Sequence, residues 1–319
     1  MKYFRIFIIL MLFGCSGEEN SESISDIVSP DEKVTRSPYV VVLGVAQDAG
    51  YPQIGCEKIC CENVWNDISL QKYISCIAIV DPISNEQWIV DATPDIKYQM
   101  EDLQKISSIE GISGVLLTHA HIGHYTGLMH FGREVMGTKH LPVYSMPKMS
   151  KFLEGNGPWS QLVSLGNISL KKLQSDSIFG LNERISVNPF LVPHRDEFSE
   201  TVGYKIIIND KSLIFIPDID KWDRWDKDIS EIISKVDYAF LDATFYKNGE
   251  IKRDMSEIPH PFVEESMHLF SNLSANDKKK IHFIHFNHTN PLLIEGSDAQ
   301  KEVSDKVFNL AKEGQIILF

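Results

Sequence analysis

Val115-Leu116-Leu117-Thr118-His119-Ala120-His121-Ile122-Gly123-His124-Tyr125-Thr126-Gly127-Leu128 decides how the rest of the chain is read. Its apolar run stops at Thr118, as a buried strand does where it meets a loop. Three histidines follow at that strand's C-terminal edge. His119 and His121 are two residues apart, so in extended chain both side chains point the same way. Gly123 permits backbone angles that turn His124 back toward them. Imidazole is the commonest zinc ligand and also suits iron. Three imidazoles this close predict one side of a metal site; the bland alternative is three solvated loop histidines that bind nothing.

Other apolar runs end in donors of the same kind. Phe190-Leu191-Val192-Pro193 runs into His194, and Leu213-Ile214-Phe215-Ile216-Pro217 into Asp218. Asp220 competes with Asp218, but Asp218 lies directly at the strand end. The alternating stretch Ile281–Phe286 carries His285, and His288 follows on the loop beyond, able to bind metal or substrate or to face solvent. Asp91, closing the strand Gln87-Trp88-Ile89-Val90, is placed to fix the far ring nitrogen of a ligating histidine; a strand-end cap is the plain alternative. Helices are expected from Asp95 to about Ser107, from Gly127 to Gly137 and from Met146 to Leu153. Asn156 and Trp159 stand in a Gly/Pro loop that could line a cleft.

The chain opens Met1-Lys2-Tyr3-Phe4-Arg5, then an apolar run to Phe13, then Gly14-Cys15. This resembles a bacterial lipoprotein leader spanning 1–15, with lipid carried on Cys15. It implies a chain exported and lipid-anchored to the cell envelope. Residues 16–37 are polar and read as a flexible tether. Residues 38–319 suffice for one α/β domain with a large core. A net charge of -13 argues against nucleic acid and leaves a small-molecule substrate open. Cys56, Cys60, Cys61 and Cys76 suggest either disulfides or a structural zinc; adjacent Cys60 and Cys61 do not pair with each other in relaxed geometry.

The histidine stretch resembles the H-x-H-x-D-H signature of the metallo-β-lactamase superfamily, with Gly123 standing where the family has Asp. Gly44-Val45-Ala46-Gln47-Asp48-Ala49-Gly50-Tyr51-Pro52-Gln53, with Cys56 just after, resembles the pyrroloquinoline quinone biosynthesis protein B branch. The resemblance implies an αβ/βα four-layer sandwich, one half from about Tyr39 to Ser175 and the other to the C-terminus, with metals at the sheet edge. It implies a first site of His119, His121, His194 and Asp218, and a second of His124, His285 and bridging Asp218. Loss of the motif carboxylate at Gly123 predicts one firm zinc and a second ion that is weak, displaced or absent, unless His288 compensates; Fe2+ or Mn2+ are alternatives. Asp242 followed by Ala243-Thr244-Phe245, and then His260 opening a helix, resembles ribonuclease Z-like members, which implies that Asp242 orients His260 as a proton donor. The expected chemistry is hydrolysis of an ester, phosphodiester or similar bond by metal-activated water. The alternatives are an iron-dependent oxygenase and a non-catalytic metal-binding lipoprotein.

Overall fold

A computed structural model describes residues 37–319. The proposed leader, Cys15 and the tether to residue 36 lie outside the described residues. The first sheet is built from β1 (Tyr39–Gly44), β2 (Cys76–Asp81), β3 (Glu86–Val90), β4 (Gly114–Leu116), β5 (Leu141–Ser145) and β6 (Ile168–Lys172). The second uses β7 (Phe179–Gly180), β8 (Ile185–Leu191), β9 (Val202–Ile208), β10 (Lys211–Ile216), β11 (Tyr238–Asp242), β12 (Ile281–Ile284) and β13 (Asn309–Leu310). The last strand, β14 (Ile316–Leu318), returns to the first sheet and pairs antiparallel with β1. Each sheet therefore has 7 strands, ordered β14-β1-β2-β3-β4-β5-β6 and β13-β12-β11-β10-β9-β8-β7.

Strand alternation explains the layering. On β1, Val40 and Val42 join one core cluster while Tyr39, Val41 and Leu43 join another. The first of these clusters lies between the sheets, where Ile77, Ile79 and Trp88 meet Tyr204, Ile206 and Ile208. The other packs the outer face of the first sheet on Ile96, Leu103, Leu153 and Leu162 of its helices. Helix residues Ile233, Val263 and Met267 cover the second sheet. The result is the expected four-layer α/β sandwich. The half boundary near residue 175 holds, with β14 as the exception. A chain buried on both faces of a strand needs the near-continuous apolar runs seen in β1, β2 and β10.

One expected element differs. The helix anticipated over 127–137 is a short 3-10 segment, Thr126–Phe131, followed by turns. Gly127 sits against the backbone of Ala92 and Thr93 too closely for any side chain, which holds this segment to the end of β3. The helices Ile96–Ser107 and Pro147–Gly155 stand where expected. No helix among the described residues is long and apolar enough to cross a membrane.

Candidate metal centre

Ligand-type side chains gather where strand ends of both sheets meet. His119, His121 and His124 follow β4, His194 follows β8, Asp218 follows β10, and His285 follows β12. His119 Nε2 lies 2.8 Å from His121 Nδ1 and 3.2 Å from Asp218 Oδ2. His194 Nε2 lies 3.2 Å from both His121 Nδ1 and Asp218 Oδ2. Donors at zinc bond lengths of ~2.0–2.2 Å in a tetrahedron stand about 3.3–3.6 Å apart. The four sequence-predicted ligands of the first site are thus gathered with donor separations of 2.8–3.7 Å, bracketing that spacing.

Each ring is held from behind. Asp91 accepts from the Thr118 N–H at 2.8 Å and meets His124 Nδ1 at 2.7 Å. The Thr118 hydroxyl bridges Asp91 and His119 Nδ1. Asp220 holds His194 Nδ1 at 3.1 Å, and Thr244 Oγ1 stands 3.0 Å from His285 Nδ1. Fixing one ring nitrogen presents the other toward the cluster. Asp91 (φ 72°) and His285 (φ 69°) both adopt left-handed backbone. For L-residues this costs about 1–3 kcal/mol each and persists only where the surroundings dictate it.

The second group contains a carboxylate that the sequence reading did not name. Gly123 does not leave it without a carboxylate. Asp48, from the loop after β1, places Oδ1 3.2 Å from His124 Nε2. Asp48, His124 and His285 present ligand atoms within 4.8 Å of one another. Asp218 Oδ2 is 4.0 Å from His124 Nε2, between the two groups. His288 does not compensate, because it faces the thiol cluster instead.

Charge in this cluster is strongly perturbed. Burial alone lifts the Asp218 pKa, but the charges of His194 and His260 outweigh it and hold it well below the usual carboxylate range. Burial likewise opposes ionisation of Asp48, and its contact with His124 reverses that. Burial and the charge of His124 hold His119 well below an ordinary histidine. His194 is pushed up to about 9, because burial, which lowers it, is outweighed by the charge of Asp218. His260 rises well above the usual value for the same reason, with burial outweighed by Asp242 and Asp218. Its Nδ1 lies 2.8 Å from Asp242 Oδ2 and 3.1 Å from Asp218 Oδ1. The expected orienting pair, Asp242 and His260, is therefore formed and touches the metal cluster directly.

Cys56, Cys60, Cys61 and His288 form a separate group, with ligand atoms within 4.8 Å of one another. Cys56 Sγ is 3.8 Å from Cys60 Sγ. Two sulfurs bound to one zinc at ~2.3 Å stand about 3.8 Å apart. All four described cysteines are free thiols in the structure. Burial pushes the Cys61 thiol up to about 12. Cys76 is no part of this group: β2 turns it into the outer core, against the Asp91 carbonyl at 3.5 Å.

A cavity of about 760 Å³ runs from His260 to His288, between the two groups. Lys58, Arg195, Lys252 and Arg253 line it, against only Asp254 and Glu257. In a chain of net charge -13 this is a local reversal of sign. Asn156 and Trp159 are not among its lining residues; Trp159 packs on Tyr125 at 4.8 Å instead.

Residues 87–286, which contain all the His/Asp ligand positions except Asp48, match the family described as beta-lactamase superfamily domain. The chain belongs to the beta-lactamase superfamily. Within it, the chain is 24% identical over 302 residues to coenzyme PQQ synthesis protein B of Methylobacterium sp. (strain 4-46), covering 86% of this chain and 97% of that one. The crystal structure of zinc-bound PqqB from Methylobacterium extorquens superposes with a TM-score of 0.74 at 23% identity, over 88% of this chain and 100% of that one. A diphosphatase of the PhnP family superposes with a TM-score of 0.64 at 20% identity, over 88% and 97%.

For this superfamily member, sequence reasoning missed Asp48 and the two threonines behind the rings, and it named Asp220 only as a rival to Asp218, not as the partner of His194. Thr118 and Thr244 were legible in principle. Each lies two residues past a strand end, Thr118 next to His119 and Thr244 two residues beyond Asp242. The role of Asp48 had no such local signal.

Proposed function

We propose that the chain is a metal-dependent hydrolase acting on a small anionic substrate, with a phosphodiester as the leading class. The observation that carries this is a pair of ligand groups meeting at Asp218, which belongs to the first and lies 4.0 Å from His124 Nε2 of the second, opening beside His260 onto a cavity with four cationic residues. His119, His121, His194 and Asp218 would hold one ion, and His124, His285 and Asp218 belong to the other. Ions held there would activate water and polarise a phosphoryl or carbonyl oxygen, making the attached phosphorus or carbon more electrophilic. The residues supply the rest. Lys58, Arg195, Lys252 and Arg253 attract and orient the anion. Asp242 holds the His260 ring by Nδ1, and the charges around it favour the protonated ring. That suits donation of a proton to a leaving-group oxygen. Burial of His119, His124 and His285 keeps bulk water off the ligands.

Support also comes from the relatives: a diphosphatase shares the fold, and a zinc-bound relative shares it too. Zinc is our first choice for the His/Asp cluster, and a structural zinc for Cys56, Cys60, Cys61 and His288. A second reading is iron-dependent oxidation, favoured by the relatives named for coenzyme PQQ synthesis and by a donor set that also suits Fe(II). The test is a panel of bis(p-nitrophenyl) phosphate and p-nitrophenyl acetate, assayed on the zinc-, manganese- and iron-loaded full chain both without oxygen and with it, with oxygen consumption followed in the second case. Turnover lost in Asp218→Asn supports hydrolysis. Oxygen uptake by the iron form without hydrolysis supports the second reading. We also propose that lipid on Cys15 anchors the domain to the cell envelope. Incorporation of labelled palmitate that disappears in Cys15→Ser tests this.

A further inference from the structure

We propose that Asp48 is the carboxylate ligand of the second metal site, taking over from the motif position that Gly123 leaves empty. This rests on reading the histidine–aspartate cluster as a metal centre.

Three observations converge. The first is exclusion. A Cβ built on Gly123 would stand 2.7 Å from the Asp48 Cα and closer still to its Oδ1. The space a motif aspartate needs is filled by Asp48 itself, so the two positions are alternatives. The second is a set of unpartnered atoms. Asp48 Oδ1, His124 Nε2 and His285 Nε2 are all buried and lack a hydrogen-bond partner. His124 Nε2 and Asp48 Oδ1 are 3.2 Å apart yet are not aligned as donor and acceptor. Buried polar atoms are nearly always paired. Three that converge without pairing describe a coordination site rather than a hydrogen-bond network.

The third observation is how the loop is held. Ala46 bridges to both Ile74 and Phe286. The Gln47 N–H donates to the Phe286 carbonyl at 2.8 Å, and Asn287 Nδ2 donates to Gln47 Oε1. Gly50 N–H closes the turn on the Gln47 carbonyl at 2.8 Å. Phe286 and Asn287 directly follow the ligand His285, so the loop bearing Asp48 is fastened to the strand end bearing its partner. Past Asp48, the Tyr51 hydroxyl donates to the Cys60 carbonyl at 2.8 Å. The thiol cluster thus braces the same loop from its other end. A carboxylate delivered from a braced loop restores the charge that the histidine motif lacks.

The consequence runs against the histidine motif taken alone. Restoring its aspartate with Gly123→Asp should add no metal, because the place is occupied.

The test counts bound zinc and measures its affinity by chelator competition on the full chain, for wild type, Asp48→Asn and Gly123→Asp. Thermal melts in excess chelator check that the folds are equivalent. The expected result is that Asp48→Asn loses one equivalent, or binds it at least about 100-fold more weakly, while the remaining equivalents are unchanged. Glu197→Gln, which alters an exposed acid 3.1 Å from His121 Nε2, serves as a control that keeps the second-site affinity. Unchanged zinc content and affinity in Asp48→Asn overturns the assignment while leaving the metal centre standing. A gain of zinc in Gly123→Asp also overturns it. Wild type without zinc in the histidine cluster overturns both this assignment and the reading beneath it.

Discussion

Asp242→Asn tests how the proton donor is set. Asp242 is fully buried and its oxygens accept four contacts. Oδ1 takes the Thr244 N–H at 2.9 Å and its hydroxyl at 2.7 Å; Oδ2 takes the Ile219 N–H at 3.1 Å and meets His260 Nδ1 at 2.8 Å. An asparagine oxygen in the Oδ1 place keeps the Thr244 contacts. Its amide then faces two donors, the Ile219 N–H and the His260 ring. Leaving one buried N–H unsatisfied costs about 1–3 kcal/mol. That is survivable within a stability of roughly 5–15 kcal/mol, whereas Asp242→Ala would strand the Thr244 and Ile219 N–H groups as well as the His260 ring. The ring loses the acceptor that fixes Nδ1–H and the charge that favours protonation. General-acid assistance is worth about 100- to 10,000-fold, so kcat should fall by that range. Urea unfolding reads the stability cost, and steady-state kinetics on the panel substrate reads the rate. His260→Ala should lose a similar factor, and the double variant should lose no more than either alone. Full turnover in Asp242→Asn beside a dead His260→Ala would refute the orienting role. So would losses that multiply in the double variant.

Other outcomes follow from single features. His282 stacks on Phe240 at 4.8 Å in β12, and burial lowers its pKa to about 4. The fold holds it neutral while the unfolded chain protonates near 6.5, so its contribution is present above that pH and is lost as pH falls toward 4. His282→Phe should therefore lose about 2 kcal/mol less stability than wild type between pH 7.5 and 5, measured by urea unfolding with metal removed from both; parallel curves would contradict this. Cys61→Ala should release one zinc equivalent and lower Tm by roughly 5 °C, and it should also loosen the ion near Asp48 through the shared loop. Lys252→Glu combined with Arg253→Glu should raise KM for the phosphodiester about tenfold at low salt and leave kcat alone, while a neutral ester is unaffected.

The strand-end histidines were legible because each closes an apolar run: Thr118 before His119, Pro193 before His194, Ile284 before His285. A metal cluster at a sheet edge needs that pattern, and the chain displays it without knowledge of pairing. The αβ/βα layering was legible from the same runs. Asp48 was not, since it precedes Gly123 by a long stretch of chain and reaches it only through β1 pairing beside β2. The partnership of His288 with the thiols was hidden likewise, because the bridge from Ala46 to Phe286 brings those loops together. The helix expected over 127–137 failed for a packing reason: Gly127 is pinned against Ala92 and Thr93, which the local pattern cannot express. The return of β14 to the first sheet rests on three residues, Ile316–Leu318, too short for any periodicity to declare.

The most direct test titrates metal into stripped full chain without oxygen, following bound equivalents and hydrolysis of bis(p-nitrophenyl) phosphate together. We expect turnover to rise as the histidine–aspartate cluster takes its second ion, to need no oxygen and to vanish in Asp218→Asn. A fully loaded cluster that hydrolyses neither phosphodiester nor ester, or that turns over only once oxygen is admitted, would contradict the account.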